Sequence, residues 1–242
     1  MEEAIAKLQQ AVNESNYIVF FGGAGVSTES GIPDFRSQDG LYAQKYKYPP
    51  ETIVSHSFFV NRTEEFYEFY KDKMIFMDAQ PNAAHKKLAE LEAAGKLKAV
   101  ITQNIDGLHQ AAGSKEVLEL HGSTLRNYCL GCGKRYDGVK YIMANEGVPK
   151  CEACGGLIRP DVVLYEEGLD NSVIRRAVDH IARADLLIIG GTSLVVYPAA
   201  GFIDYFHGKH LCVINMSETS RDKAADILIQ GKIGEVLSQI TV

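Results

Sequence analysis

The 242-residue chain contains no tryptophan, 7 prolines, 5 cysteines and no long apolar run. A helix that spans a membrane needs about 18 or more apolar residues, so the sequence excludes one. The N-terminal residues are acidic and lack the apolar segment of a secretory signal, so we expect a cytoplasmic protein with reduced thiols. Lys and Arg total 25 against 31 Asp and Glu, and this net charge of −6 argues against nucleic-acid binding through bulk charge.

The remaining composition is that of a globular protein, with 46% hydrophobic and 23% charged residues. A chain of this length buries enough surface to need no disulfides. Short apolar runs alternate with amphipathic segments, which predicts a parallel sheet covered by helices. The predicted strands are 17–21, 97–101, 117–120, 185–189, 211–214 and 227–229, and the predicted helices are 2–14, 82–94 and 174–183. We expect Cys212 to be a buried core thiol.

Two stretches break this alternation. Residues 39–78 are rich in Tyr and Phe and contain Pro49-Pro50, and we interpret them as a helical insertion. Residues 123–160 carry two cysteine pairs and little apolar periodicity, and we interpret them as a second insertion. The chain is therefore predicted to consist of one large sheet domain and a smaller module.

The cysteine pairs are Cys129-x₂-Cys132 and Cys151-x₂-Cys154, separated by 18 residues. Each pair can present two thiolates from one tight turn, and two such turns complete a tetrahedral metal site. Four cysteines leave no open coordination position, so the predicted zinc has a structural role. Four unrelated thiols are a poor explanation of the spacing, and a redox Cys-x-x-Cys does not explain a second pair.

A glycine-rich segment, 22–31, follows the first predicted strand. Such a turn lets backbone N–H groups approach a phosphate. Thr28 stands where a dehydrogenase fingerprint has its third glycine, and no acidic residue follows at the usual distance for binding a ribose. These differences disfavour a dehydrogenase, and from the glycines alone a tightly packed loop is an equal alternative.

Polar residues follow several predicted strands, at the edge where α/β sheets bind ligands. Residues 102–109 follow the second strand, and His121, residues 190–193 and Asn215 follow others. Asn104 and Asp106 are also suited to cap a helix or close a turn. A histidine beside an apolar run is more often a hydrogen-bonded core residue, but the position of His121 at a strand end favours a general base.

Taken together, these residues resemble the sirtuins, the NAD-dependent protein deacylases, over nearly the whole chain. The matching stretches, in the family's order, are 23–27, 31–36, 102–106, His121-Gly122, the four cysteines, 191–193 and 198–200. The resemblance implies a Rossmann-like NAD-binding domain with helices on both sheet faces, formed by 1–38, 79–122 and 161–242. It also implies a small domain formed by the helical insertion 39–78 and a zinc module at 123–160, with NAD and substrate between the two domains.

The resemblance further implies a role for individual residues. His121 would be the general base and Asn104 a catalytic residue that orients the nicotinamide ribose. NAD would be a co-substrate and one zinc per chain a structural ion bound by Cys129, Cys132, Cys151 and Cys154. The other residues expected to bind NAD are Ala24, Thr28, Phe35, Arg36, Gln103, Ile105, Asp106, Thr192, Ser193, Asn215 and Ile233.

The substrate segment departs from the family pattern. The family usually has Phe-Gly-Glu where this chain has Tyr165-Glu166-Glu167. Tyr165 stands where the family has phenylalanine, so the aromatic wall of the substrate site is retained. The Val163 backbone is expected to bind the acyl-lysine amide of an extended peptide. Glu166 replaces the glycine that the family usually has, so the family's contacts with a bound peptide near this position need not hold in this chain. We favour a solvated acidic turn over an acidic site that selects basic peptides.

The acyl preference is predicted from a missing arginine. Relatives that remove succinyl or malonyl groups carry a Tyr-x-x-Arg pair, whereas this chain has Tyr67 followed by Tyr70. We therefore expect neutral acyl groups, acetyl first, with acetylated lysine in proteins or peptides as the partner. The expected products are nicotinamide, deacetylated lysine and 2′-O-acetyl-ADP-ribose. A mono-ADP-ribosyltransferase and a non-catalytic NAD-sensing module remain alternatives, and we expect a monomer that contacts neither nucleic acid nor membrane.

Overall fold

The computed structural model describes residues 1–35, 37, 40–41 and 45–242. In this part of the chain, six parallel strands form one sheet. They are β1 Ile18–Gly22, β2 Leu97–Thr102, β3 Val117–Glu119, β7 Leu186–Gly190, β8 His210–Asn215 and β9 Ile227–Gln230. Their order across the sheet is β3-β2-β1-β7-β8-β9. The central strands β1 and β7 are buried along their whole length, as their unbroken apolar sequences require.

Helices cover both faces of the sheet. They are α1 Glu2–Glu14, α5 Ala83–Ala93, α6 Leu108–Ala111, α8 Asn171–Arg183 and α9 Ile233–Leu237. Asn82 caps α5 by accepting a hydrogen bond from the Ala84 N–H at 2.9 Å, and Gly95 follows the helix with a positive φ of 73°. Short 3₁₀ helices lie at Ala24–Val26, Thr28–Ser30, Ala199–Tyr205 and Asp222–Ala224. The amphipathic patterns thus give a three-layer α/β fold, as predicted.

A second core lies outside the sheet. Helices α2 Pro50–Ile53, α3 His56–Asn61 and α4 Thr63–Lys73 pack beside an antiparallel sheet with the order β5-β4-β6. Its strands are β4 Gly122–Cys129, β5 Arg135–Asp137 and β6 Ile158–Val162, and helix α7 Lys140–Ala144 lies between β5 and β6. Phe59, Phe66, Tyr67 and Tyr70 fill this core with edge-to-face and stacked rings.

The predicted elements agree with this architecture within a few residues at each end. Residues 45–78 contain the three helices α2, α3 and α4, whereas residues 39 and 42–44 of the expected helical insertion lie outside the described residues. The antiparallel sheet beside the cysteine pairs was not predicted from the sequence. Cys212 is fully buried in β8, and burial raises the pKa of its thiol.

No helix among the described residues is both long enough and apolar enough to cross a lipid bilayer.

Candidate active site

The chain order of the strands creates a crevice at one edge of the parallel sheet. The chain runs outward from β1 to β3 and later resumes beside β1 with β7. At this reversal the chain after β1 continues to α5 on one face of the sheet, and the chain after β7 continues to the 3₁₀ helix Ala199–Tyr205 on the other face. Open α/β sheets bind ligands at such a point. A cavity of about 750 Å³ lies here and extends towards α4.

Close contact between two loops forms the floor of the cavity. The Gly25 N–H donates to the Gly191 carbonyl oxygen at 2.8 Å. A Cβ atom added to Gly25 would lie 2.8 Å from the Gly191 Cα, and Gly191 itself has a positive φ of 59°. Only glycine fits at both positions without displacing backbone, so the glycine-rich segment packs tightly and also lines the cavity.

A chain of polar side chains connects the loop after β1 with the loop after β2. The Ser27 hydroxyl donates to an Asp106 carboxylate oxygen at 2.6 Å and accepts from the Asn104 side-chain amide at 3.1 Å. The other Asp106 oxygen accepts from the Leu108 N–H at 2.9 Å. These hydrogen bonds hold Asn104 and Asp106 in fixed orientations beside the cavity.

His121 lies just beyond β3, at the point where the chain enters β4. Its Nδ1 lies 3.0 Å from the Gln103 carbonyl oxygen. A carbonyl only accepts hydrogen bonds, so Nδ1 carries the proton and Nε2 has a free electron pair. Burial lowers the pKa of His121, only partly opposed by this hydrogen bond, and a neutral imidazole is the form that can accept a proton.

The other predicted residues that the structure describes surround the same cavity. They come from the segments after β1, β2, β6 and β7, from the end of β8 and from α9. The Gln103 amide donates to the Thr192 hydroxyl at 3.1 Å, and the Thr28 hydroxyl donates to the Gly25 carbonyl oxygen at 3.0 Å. Arg36 lies outside the described residues. The cavity is lined by Ala24, Thr28, Phe35, Gln103, Asn104, Ile105, Asp106, His121, Val163, Tyr165, Thr192, Ser193, Asn215 and Ile233.

The two acidic residues after Tyr165 lie in a turn and differ in exposure. Glu167 bonds Arg159, the His56 Nδ1 and the Leu164 N–H, and Glu166 accepts from the Ser57 N–H at 2.8 Å. Glu166 is exposed, as expected of a solvated acidic turn, whereas Glu167 is partly buried, and both carboxylates also have partners in the fold that the sequence did not reveal.

The four paired cysteines form a compact cluster in the small core. Their sulfur atoms all lie within 4.8 Å of one another, and Cys129–Cys154 and Cys132–Cys151 are separated by 3.4 and 3.7 Å. Zinc–thiolate bonds of about 2.3 Å in a tetrahedron require sulfur separations of about 3.8 Å, so the donors fit Zn²⁺. The Tyr136 hydroxyl donates to the Cys151 sulfur and lowers the pKa of that thiol to about 6, which favours the thiolate that binds metal.

Several residues of the site were missed or given no role from sequence. Ser27 was quoted only as part of the glycine-rich segment, yet it connects Asn104 with Asp106. Glu29 accepts from the Gly234 N–H at 2.6 Å and so connects that segment to the start of α9. The Asn82 amide donates to the Val26 carbonyl oxygen and the Ser30 hydroxyl. Only tertiary contacts reveal these roles, because the partners are far apart in sequence.

The fold and the site together define a Rossmann-type α/β protein with an inserted four-cysteine module. A family model described as "Sir2 family" matches residues 23–198. The chain belongs to the Sir2 family.

Comparisons with individual proteins agree with this assignment. The chain is 60% identical over 241 residues to an NAD-dependent protein deacetylase of Clostridium acetobutylicum, covering 98% of both chains. It is also 60% identical to a protein of the same name from Clostridium perfringens, over 99% of both chains. A solved structure of Sir2 with a p53 peptide and NAD⁺ superimposes with a TM-score of 0.85 at 41% identity, covering 96% of this chain and 95% of that one.

Proposed function

We propose that this protein is an NAD-dependent protein-lysine deacetylase that releases nicotinamide, deacetylated lysine and 2′-O-acetyl-ADP-ribose. Family membership and the two clostridial relatives named NAD-dependent protein deacetylase support the reaction. The observation that carries the proposal is the position of His121, whose Nδ1 lies 3.0 Å from the Gln103 carbonyl oxygen and whose ring lines a cavity formed by the loops after β1, β2, β7 and β8.

NAD supplies the ribose carbon that receives the acetyl oxygen after nicotinamide leaves. Asn104 and Gln103 orient the nicotinamide ribose, and the Asp106 carboxylate, together with Ile105, binds the carboxamide. Phe35 shields the reacting carbon from water. His121 accepts a proton from the ribose hydroxyl pair, and its bond to the Gln103 carbonyl fixes the ring for that transfer.

The remaining cofactor contacts belong to the loops at the sheet edge. Ala24, Thr28 and Arg36 hold the pyrophosphate. Thr192, Ser193, Asn215 and Ile233 contact the phosphates and the adenosine. The close packing of Gly25 on Gly191 supports this assignment, because it brings the two loops that carry these residues together at the cavity. The domain division given above is part of the same proposal, with the zinc ion stabilising the module at 123–160.

The acetylated peptide binds across Val163 and Tyr165. The Val163 N–H already donates to the His121 carbonyl oxygen at 3.0 Å, so the Val163 carbonyl oxygen is the group that accepts from the acyl-lysine amide. Tyr165 lines the cavity and provides the aromatic wall. We further propose that the protein acts as a monomer in the cytoplasm, where thiols are kept reduced for zinc, without contacting nucleic acid or a membrane.

The acyl group is neutral, with acetyl preferred. Tyr70 lines the cavity, whereas Tyr67 is buried and its hydroxyl bonds the Ile158 carbonyl oxygen. Lys73 also lines the cavity, but its ammonium group pairs with Asp72 at 3.0 Å. Among the described residues that line the cavity there is thus no arginine whose guanidinium could pair with a carboxylate on the acyl group. Succinyl-lysine turned over as fast as acetyl-lysine would contradict this preference.

The test is mass spectrometry of an acetyl-lysine peptide incubated with the protein, with and without NAD. Loss of the acetyl group only with NAD, together with O-acetyl-ADP-ribose, is expected. His121→Ala should slow turnover about 10²–10⁴-fold while NAD binding stays within a few-fold, because it removes only the base. His207→Ala is the matched control, since His207 is exposed and outside the cavity. ADP-ribose attached covalently to protein, or normal turnover by His121→Ala, would overturn the proposal.

A further inference from the structure

The substrate-binding segment 163–167 is attached to the start of helix α3 by backbone hydrogen bonds. The Tyr165 N–H donates to the Val54 carbonyl oxygen at 3.0 Å, and the Tyr165 carbonyl oxygen accepts from the His56 N–H at 3.0 Å. Ser55 lies opposite Tyr165 as an isolated parallel bridge. The segment therefore forms part of the surface of the helical insertion.

Glu166 adds a side-chain tether at the next position. Its carboxylate accepts from both the Ser57 backbone N–H, at 2.8 Å, and the Ser57 hydroxyl. These hydrogen bonds, the Ser57 hydroxyl first, lower the pKa of Glu166. Ser57 is the second residue of α3, where a backbone N–H has no partner within the helix, so the carboxylate completes the cap that Ser55 begins.

The backbone of Glu166, which carries this tether, has a strained conformation. Its φ is +74°, in the left-handed region that favours glycine. The family resemblance places glycine at this position. A glycine would relieve the strain but would bring no carboxylate to Ser57. This chain therefore combines a strained backbone with a side-chain anchor.

Glu167 completes the attachment from the other side. It bonds the His56 Nδ1 at 2.7 Å and pairs with Arg159, whose guanidinium lies over the Phe59 ring. Three successive residues, Tyr165 to Glu167, thus each contact residues 54–57. Backbone conformation between Val163 and Glu167 is set before any peptide arrives.

We propose that Glu166 is a positioning residue that fixes segment 163–167 against the start of α3, so that the Val163 carbonyl and the Tyr165 ring are preorganised for the acyl-lysine peptide. The inference rests on the proposed function. Preorganisation improves peptide binding because less conformational freedom is lost on association. It does not alter the chemistry at His121, so its effect falls on the KM for the peptide and leaves kcat unchanged.

The test compares Glu166→Gly with Glu166→Gln. Glu166→Gly removes the tether and relieves the strain, so it should fold normally and raise the peptide KM about five- to tenfold, with kcat and the KM for NAD within twofold of wild type. Glu166→Gln keeps an acceptor for Ser57 and should restore most of the lost affinity. Glu146→Gly is the matched control and should match wild type, because Glu146 is an exposed glutamate just after α7.

A second measurement needs no turnover. Amide hydrogen exchange of the free protein should be about tenfold faster across 163–167 in Glu166→Gly than in wild type. Unchanged exchange and peptide KM in Glu166→Gly would overturn the inference. Equal KM increases in Glu166→Gly and Glu166→Gln would also overturn it, because they would indicate that the negative charge contacts the peptide directly. If the wild-type protein lacks deacetylase activity, the proposed function fails. The exchange measurement would still show whether Glu166 fixes segment 163–167 against α3.

Discussion

Two regions of the molecule are stabilised in different ways. The sheet region comprises the six parallel strands with α1, α5, α6, α8 and α9, and apolar side chains bury both faces of its sheet. The cysteine region comprises α2–α4, β4–β6 and α7, and its core combines aromatic rings with the four-cysteine cluster. The comparison predicts that apolar burial stabilises the larger region, whereas the smaller region needs a metal ion on its four cysteines to complete its core.

The candidate site lies where the two regions meet. His121 follows the last residues of β3 and immediately precedes β4, so each region supplies one of its flanking strands. Substrate segment 163–167 follows β6 and attaches to α3. Loss of order in the cysteine region should therefore disable the site even while the parallel sheet persists.

Metal removal should have the largest effect and should separate the two regions. Structural zinc contributes about 10–16 kcal/mol of apparent binding free energy in small zinc modules. Chelation, or Cys151→Ser, should expose residues 123–162 to hydrogen exchange and abolish deacetylation, while the strands of the sheet region stay protected. Cys212→Ala is the control, because that variant should still bind one equivalent of zinc. Unchanged exchange in 123–162 after complete metal loss would contradict the expected role of zinc.

Acid should weaken the sheet region through a buried histidine pair. His85 and His109 stack edge to face at 4.7 Å between ring centroids, and burial lowers the pKa of His85 to about 4 and that of His109 to about 3. The unfolded chain binds protons below about pH 6.5 while the folded chain does not. Stability should therefore fall as the pH drops from 6.5 to 4, by about 1.4 kcal/mol per pH unit for each histidine.

Urea unfolding at several pH values, followed by exchange at α5 and β2, measures this slope. His109→Asn should reduce the slope by about 1.4 kcal/mol per pH unit in the range between pH 6.5 and 4, leaving the contributions of His85 and of His121, whose pKa is also lowered by burial. A variant with the wild-type slope would show that other groups cause the acid sensitivity. The zinc thiolates also take up protons in acid, so zinc content must be followed in the same samples.

Substitution of one lysine in each region should have the smallest effect on stability, and it gives the most closely matched comparison of the two regions. Lys96 donates to the carbonyl oxygens of Val12, Asn13 and Ser15 at the end of α1, and Lys71 donates to those of Asn145 and Gly147 after α7. Each ammonium group stabilises the negative end of a helix. Hydrogen bonds to charged groups contribute about 1.5–3 kcal/mol, so each Lys→Met variant should lose roughly that amount.

The two variants should differ in where the loss is measured. Lys96→Met should lower the global free energy of unfolding, because α1 packs on the sheet. Lys71→Met should mainly accelerate exchange in 140–147, within the cysteine region. Equal exchange patterns in the two variants would argue that the regions unfold as one cooperative unit.

Much of the sheet region could be predicted from sequence. Its strands are short apolar runs, and the signals at their ends are local, such as Asn82 before α5 and Gly95 after it. The cysteine region was predictable in its metal ligands but not in its strands. Asn127 pairs with Pro160 across 33 positions, and β6 also accepts a hydrogen bond from the distant Tyr67 hydroxyl at the Ile158 carbonyl oxygen, so neither contact has a local signal in the sequence.

The sequence by itself determined the parallel α/β fold, through its periodicity, and the four-cysteine cluster, through its spacing, whereas the residues that line the cavity were identified through the resemblance to the sirtuins. Tertiary structure alone decided the protonation of His121, the Ser27 bridge and the Glu166 tether. Each of these depends on partners distant in the chain, and the tether also requires a left-handed backbone that residue type does not favour. Sequence patterns report local preferences, whereas these contacts exist only once the two regions pack together.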